Sequence, residues 1–143
     1  MEDRVPNVTP TEIRARSQSR LLVVSFADGR SFELPFEYLR THSPSAEVKG
    51  HGPGQETLVL GKENVGIKAI EQVGQYAVRL VFDDGHDSGL FSWRYLRELG
   101  EEQAANWAKY LARVAAAHGA LREGVGIDAV ADLLEKLDGP RHR

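Results

Sequence analysis

The chain has no cysteine among its 143 residues. That absence excludes a disulfide, a cysteine nucleophile, an iron–sulfur ligand set and a thiolate zinc site. It also has no uninterrupted apolar run near the ~18 residues of a membrane-spanning helix, so no membrane partner is expected. There is no large excess of charge of either sign. Lysine plus arginine number 18 against 21 aspartates and glutamates, a formal net charge of −3, which argues against a dedicated nucleic-acid binder. The first twenty residues carry Arg4, Arg14, Arg16 and Arg20 but no apolar h-region, so a cytoplasmic location is expected. No Gly-x-Ser-x-Gly elbow is present. The glycine-rich run Gly50-His51-Gly52-Pro53-Gly54 lacks the Gly-Lys-Ser/Thr ending of a phosphate loop.

What is present is a set of short β-forming runs punctuated by tight turns. Residues 1–10 contain Pro6 and Pro10, lack periodicity and read as a flexible tail. Thr11–Arg20 holds one large apolar residue, Ile13, and supports at most a short edge strand. Leu21–Phe26 is a β-branched and aromatic run ending at Asp28-Gly29, a strong hairpin signal because both turn residues tolerate positive φ. Arg30–Leu34 is the return strand, and Pro35 opens a short helix, Phe36–Arg40. Thr41–Gln55 reads as loop. Strands are predicted again at Thr57–Leu60, Ile67–Val73, Tyr76–Phe82 and Ser88–Phe91. A helix Trp93–Leu99 follows, capped by Ser92 and stopped at Gly100.

The two hairpins repeat one another. Phe26-x-Asp28-Gly29 followed by Phe36-x-Tyr38-Leu39-Arg40 matches Phe82-x-Asp84-Gly85 followed by Trp93-x-Tyr95-Leu96-Arg97. Gly29 and Gly85 stand 56 residues apart, and Arg40 and Arg97 stand 57 apart, so the second copy carries one extra residue. The expected fold is α+β: a small, mainly antiparallel sheet from two repeated hairpin–helix units, plus two C-terminal helices. Those helices are read over Glu101–Gly119, with Trp107, Leu111, Val114 and His118 on one stripe, and over Ile127–Leu137. Residues 11–100 then form the domain, and residues 101–143 a helical extension of it.

Few residues carry chemistry. The aromatic set Phe26, Phe82, Phe91, Trp93 and Tyr95 reads as core, and Asp83-Asp84 as ordinary turn chemistry. His42, His51 and His86 lie in loops or turns beside Glu47, Asp84 and Asp87. Imidazole and carboxylate suit zinc or iron(II), so these three histidines form an alternative weak metal site. Their spacing carries no metal signature, and the simpler reading is solvated or turn-stabilising histidines. No catalytic or cofactor-binding constellation emerges.

The run Gly74-x-Tyr76-Ala77-x-x-Leu80-x-Phe82-x-Asp84-Gly85-His86-x-x-Gly89-Leu90-Phe91-Ser92-Trp93-x-x-Leu96-Arg97 resembles the gamma-butyrobetaine hydroxylase-like N-terminal domain family. The first hairpin and Tyr38-Leu39-Arg40 fit the earlier half of that pattern, and the resemblance spans Ile13 to Gly100. It implies an accessory domain. In eukaryotic members it precedes an iron(II)/2-oxoglutarate dioxygenase domain, holds zinc through three cysteines and a histidine, and helps form a dimer. Some relatives are linked to iron–sulfur carrier ATPases. Aligned from Leu39-Arg40, the three cysteine positions are here Ser43, Ser45 and Val48, and only the histidine survives, as His86. The resemblance therefore implies a lost zinc site, and a mobile Thr41–Gln55 loop where a metal would have held it. No dioxygenase domain is expected within these 143 residues, since its barrel alone exceeds that length. The expected protein is a non-catalytic cytoplasmic module acting on an unidentified protein partner, with no cofactor, as a monomer or homodimer. The alternative is a zinc- or iron-binding accessory or sensing domain, linked to iron–sulfur or dioxygenase systems, through His86 with His42 or His51.

Overall fold

A computed structural model describes residues 9–45 and 58–122. The chain divides between Gln103 and Ala104 into two compact units. In the first, β1 (Pro10–Arg16), β2 (Leu21–Phe26) and β3 (Ser31–Pro35) form an antiparallel sheet in the order β1-β2-β3, followed by helix α1 (Phe36–Thr41). A second antiparallel sheet, β4-β5-β6, is made of β4 (Ile67–Val73), β5 (Ala77–Phe82) and β6 (Leu90–Ser92), and leads into α2 (Trp93–Glu101). The α+β class holds, with two three-stranded sheets in place of the single sheet expected. Among the described residues each hairpin pairs only within its own repeat.

The repeat is deeper than the hairpins. In β1, Ile13 and Ala15 pair with Val24 and Leu22, and this hairpin pairing across the turn at residues 17–20 carries a polar stretch as a seven-residue edge strand. Both sheets begin with an irregularity at matching places, Pro10/Glu12 opposite Phe26 and Ile67/Ala69 opposite Phe82. The turn glycines Gly29 and Gly85 take φ of 89° and 94°, which a side chain would resist. Phe36 N–H donates to the Arg20 carbonyl, and Trp93 N–H to that of Tyr76, at 2.9 and 2.8 Å.

Both repeats supply the core. Leu22, Val24, Phe26, Leu34 and Leu39 are buried from the first, and Val78, Leu80, Phe82, Phe91 and Leu96 from the second. Trp93 is buried and Tyr95 half-buried, in keeping with the aromatic set as core. Several boundaries depart from the expected ones. Residues 58–60 form no strand, β5 starts at Ala77, and β6 starts at Leu90. Ser92 caps α2 as expected, accepting from Tyr95 N–H at 3.0 Å. Gly100, in contrast, does not stop the helix, which continues to Glu101. Its lack of a side chain serves packing: a Cβ there would lie 2.5 Å from Cγ of Phe32.

In the second unit, α3 (Gln103–Arg122) carries Trp107 stacked on Tyr110 with ring centres 4.9 Å apart. Leu111 is about half exposed, because the buried positions are Tyr110 and Ala117, one residue round from the expected stripe. The helix expected at Ile127–Leu137 lies outside the described residues.

Candidate functional site

The two repeats grip each other reciprocally. Arg40, at the end of α1, donates from Nε to Asp84 Oδ2 in the second hairpin turn at 2.9 Å. Its repeat counterpart Arg97, in α2, donates from Nη2 to Asp28 Oδ2 in the first hairpin turn at 2.8 Å. Tyr38 Oη donates to the Leu99 carbonyl and Tyr95 Oη to the His42 carbonyl, both at 2.7 Å. These four contacts join matching residues 57 or 56 apart, so the two halves are related by an approximate twofold exchange.

Electrostatics follow from these contacts. Burial pushes the Asp84 carboxyl up, but hydrogen bonds from Lys62, the His86 backbone N–H and Arg40 outweigh it and bring its pKa down to about 2. Lys62 Nζ lies 2.6 Å from Asp84 Oδ2, so one carboxylate meets two cations. The hydrogen bond from Arg97, helped by the Arg30 backbone N–H, holds Asp28 below the usual carboxylate range. Burial, with Glu98 and Tyr38 nearby, raises the Tyr95 hydroxyl above the ordinary tyrosine range.

Beside Asp84 the structure gathers three of the four residues that the resemblance singled out. Ser43 Oγ lies 2.9 Å from His86 Nε2, and Ser45 Oγ lies 3.3 Å from the same nitrogen. Ser43 is 0% exposed and His86 5% exposed. The reading of His86 as a solvated histidine is therefore corrected: it is buried, although its backbone N–H donates to Asp84 Oδ1 as turn chemistry predicts. Residues 41–45, expected as the start of a mobile loop, are held instead by side-chain hydrogen bonds, with Ser43 and Ser45 buried. Val48 and His51 lie outside the described residues. His42 places Nδ1 3.0 Å from the Tyr38 carbonyl and 3.1 Å from Thr41 Oγ1.

The described donors do not fit zinc. A structural zinc takes four ligands from thiolate, imidazole and carboxylate. Here one imidazole faces two hydroxyls, and serine hydroxyls at neutral pH are not anionic ligands. Among the described residues no three histidine, aspartate or glutamate side chains are grouped to hold a metal ion.

The remaining feature is a surface. On the outer face of the second sheet, Val73 is 41% exposed and Leu90 48%, with Tyr76 in the adjoining turn 77% exposed. Arg79, between them in register, donates from Nε to Glu71 at 3.0 Å. The register gives their counterparts in the first sheet. Arg79 opposite Leu90 matches Val23 opposite Glu33, and Val73 opposite Ala77 matches Arg16 opposite Leu21. Tyr76 matches Arg20, whose carbonyl accepts the equivalent helix-start hydrogen bond. One fold position thus carries Arg16, Arg20 and Glu33 in one sheet and Val73, Tyr76 and Leu90 in the other. Sequence reasoning started a strand at Tyr76, which lies instead in the turn before Ala77, and missed this face. The repeat offset already held the signal, as a comparison of polarity between the copies.

Comparison with known proteins agrees with this architecture. A family model described as gamma-butyrobetaine hydroxylase-like, N-terminal, matches residues 13–97. The chain resembles the crystal structure of a protein of unknown function of the DUF971 family from Acidithiobacillus ferrooxidans. The identity is 41% and the TM-score 0.57, over 68% of this chain and 98% of that one. It also resembles two NMR solution structures. One is 48% identical with a TM-score of 0.70, over 82% of this chain and 88% of that one. The other is 50% identical with a TM-score of 0.67, over 76% and 86%. No curated protein matches the chain.

Proposed function

The chain belongs to the gamma-butyrobetaine hydroxylase-like N-terminal family, and from that premise we propose that it is a non-catalytic, cytoplasmic protein-interaction module whose contact surface is the outer face of the second sheet. The carrying observation is the contrast between the sheets: Val73, Tyr76 and Leu90 are exposed where the first sheet uses Arg16, Arg20 and Glu33. The fold tolerates charge at these positions, so exposed apolar residues there serve something other than folding. Val73 and Leu90 lie on the same sheet face, in the rows of Ala77 and Arg79, and exposed apolar surface rimmed by polar residues is the usual mark of a contact site. The central Arg79–Glu71 pair would supply orientation more than affinity.

Other observations are compatible with this reading. The matched family is an N-terminal domain, and no helix among the described residues is long and apolar enough to cross a membrane. The test transplants the first sheet's residues, Val73→Arg, Tyr76→Arg and Leu90→Glu, into the full chain. The variant should keep its thermal transition, and it should lose a protein captured from host lysate by the wild type or lose self-association in sedimentation. If the wild type captures nothing and stays monomeric, or if the variant keeps the same partner, the reading fails.

A further inference from the structure

We propose that Ser43, Ser45 and His86 form a metal-independent clasp, a hydrogen-bonded site with the convergence of a metal centre but without its thiolates, admitted by Gly89. The inference is independent of the docking face. It rests on how the approximate twofold is broken.

By the repeat offset, Phe32 corresponds to Gly89, Gly100 to Ser43 and Arg30 to His86. At one end of the exchange the Phe32 ring fills the space over Gly100, with the Arg30 guanidinium 5.1 Å from the ring centre. At the other end the large and small residues are reversed. A Cβ on Gly89 would lie 2.3 Å from Ser43 Oγ and 3.2 Å from Cε1 of Phe91. The absent side chain at 89 therefore makes room for the hydroxyl. Gly89 has no left-handed φ, so its role is space, not backbone freedom.

The vacated space holds polar atoms that satisfy one another. His86 Nε2 meets two hydroxyls, and Ser45 N–H reaches Ser43 Oγ at 3.4 Å. A hydroxyl can donate or accept, so the cluster needs no cation to hold it together. It ties the segment after α1 to the second hairpin, beside the Arg40–Asp84 pair. Two of its separations are near those between ligands of a metal site. With bonds of ~2.3 Å to sulfur and ~2.0 Å to nitrogen, tetrahedral zinc places the two ligand atoms about 3.5 Å apart. The 2.9 and 3.3 Å separations seen here would need only modest expansion.

Two experiments on the full chain test this. First, chelator should leave the wild-type Tm unchanged, and zinc should not raise it. A zinc-dependent rise that His86→Gln abolishes would overturn the proposal. The Ser43→Cys/Ser45→Cys variant should instead bind cobalt(II) with thiolate charge-transfer absorption and gain Tm with zinc, and failure of both would also overturn it. Second, Ser43→Ala should lower Tm in the wild type but raise it in a Gly89→Ala background, because it removes the atom the new Cβ strikes. If Ser43→Ala lowers Tm in both backgrounds, or fails to rescue an unfolded Gly89→Ala chain, the space argument is wrong.

Discussion

Asp84 shows how much one side chain can be asked to do. It accepts from Arg40 and Lys62 through Oδ2 and from the His86 backbone through Oδ1, joining the two repeats and closing its own turn. Its pKa of about 2 lies below the unfolded value. The stabilisation is therefore full above about pH 4 and is lost as pH falls through the folded value near 2. Discounted for its residual solvent access, this amounts to about 1–2 kcal/mol. Asp84→Asn should lower Tm at pH 7 and flatten the acid limb of the Tm–pH profile between pH 4 and 2. An unchanged profile would show that the pair is energetically idle. That Asp84 belongs to a turn was legible from Asp-Gly alone. That it holds two cations was not, because Arg40 lies 44 residues away and only the fold brings it near.

At the scale of elements, α2 separates what local rules decide from what packing decides. Ser92 caps its start, and Ser92→Ala should cost about 1 kcal/mol, read by chemical denaturation. Gly100 sits inside the helix, where glycine to alanine is usually stabilising by up to ~1 kcal/mol. Here the same change should destabilise, since the new Cβ would meet the Phe32 ring at 2.5–2.8 Å. A gain in stability for Gly100→Ala would mean that the ring moves aside freely. Local sequence signals find a cap because its partners are three residues apart. They misjudge Gly100 as a stop because the reason for that glycine lies in another strand. β1 is a more local case. Its composition allowed a short edge strand, and pairing with Leu21–Phe26 extends it to seven residues.

For the first unit as a whole, the reciprocal contacts predict mutual dependence of the two repeats. Tyr38 and Arg40 end on the second repeat, and Tyr95 and Arg97 on the first. The ordered elements of the first repeat, Pro10–Thr41, are also fewer than the ~40 residues below which chains seldom fold alone without disulfides, metals or association. Residues 1–55 and 56–143 made as separate fragments should each lack a cooperative transition, and mixing them should restore one. A cooperative transition in residues 1–55 alone would contradict the exchange.

The two Asp-Gly turns, the internal repeat and the family resemblance were all determined by sequence alone, because each rests on patterns within a few residues or on a nearly constant offset. The resemblance even named Ser43, Ser45 and His86 together, as positions short of their thiolates. Tertiary structure decided what stands at those positions instead. It buried His86, set both hydroxyls against one nitrogen, and used Gly89 to make the space. It likewise decided that two sheets form and that one of them turns Val73, Tyr76 and Leu90 outward. The physical reason is common to all of these. A hydrogen bond, a steric vacancy and an exposed face depend on distances between residues remote in the chain, and no local pattern records them.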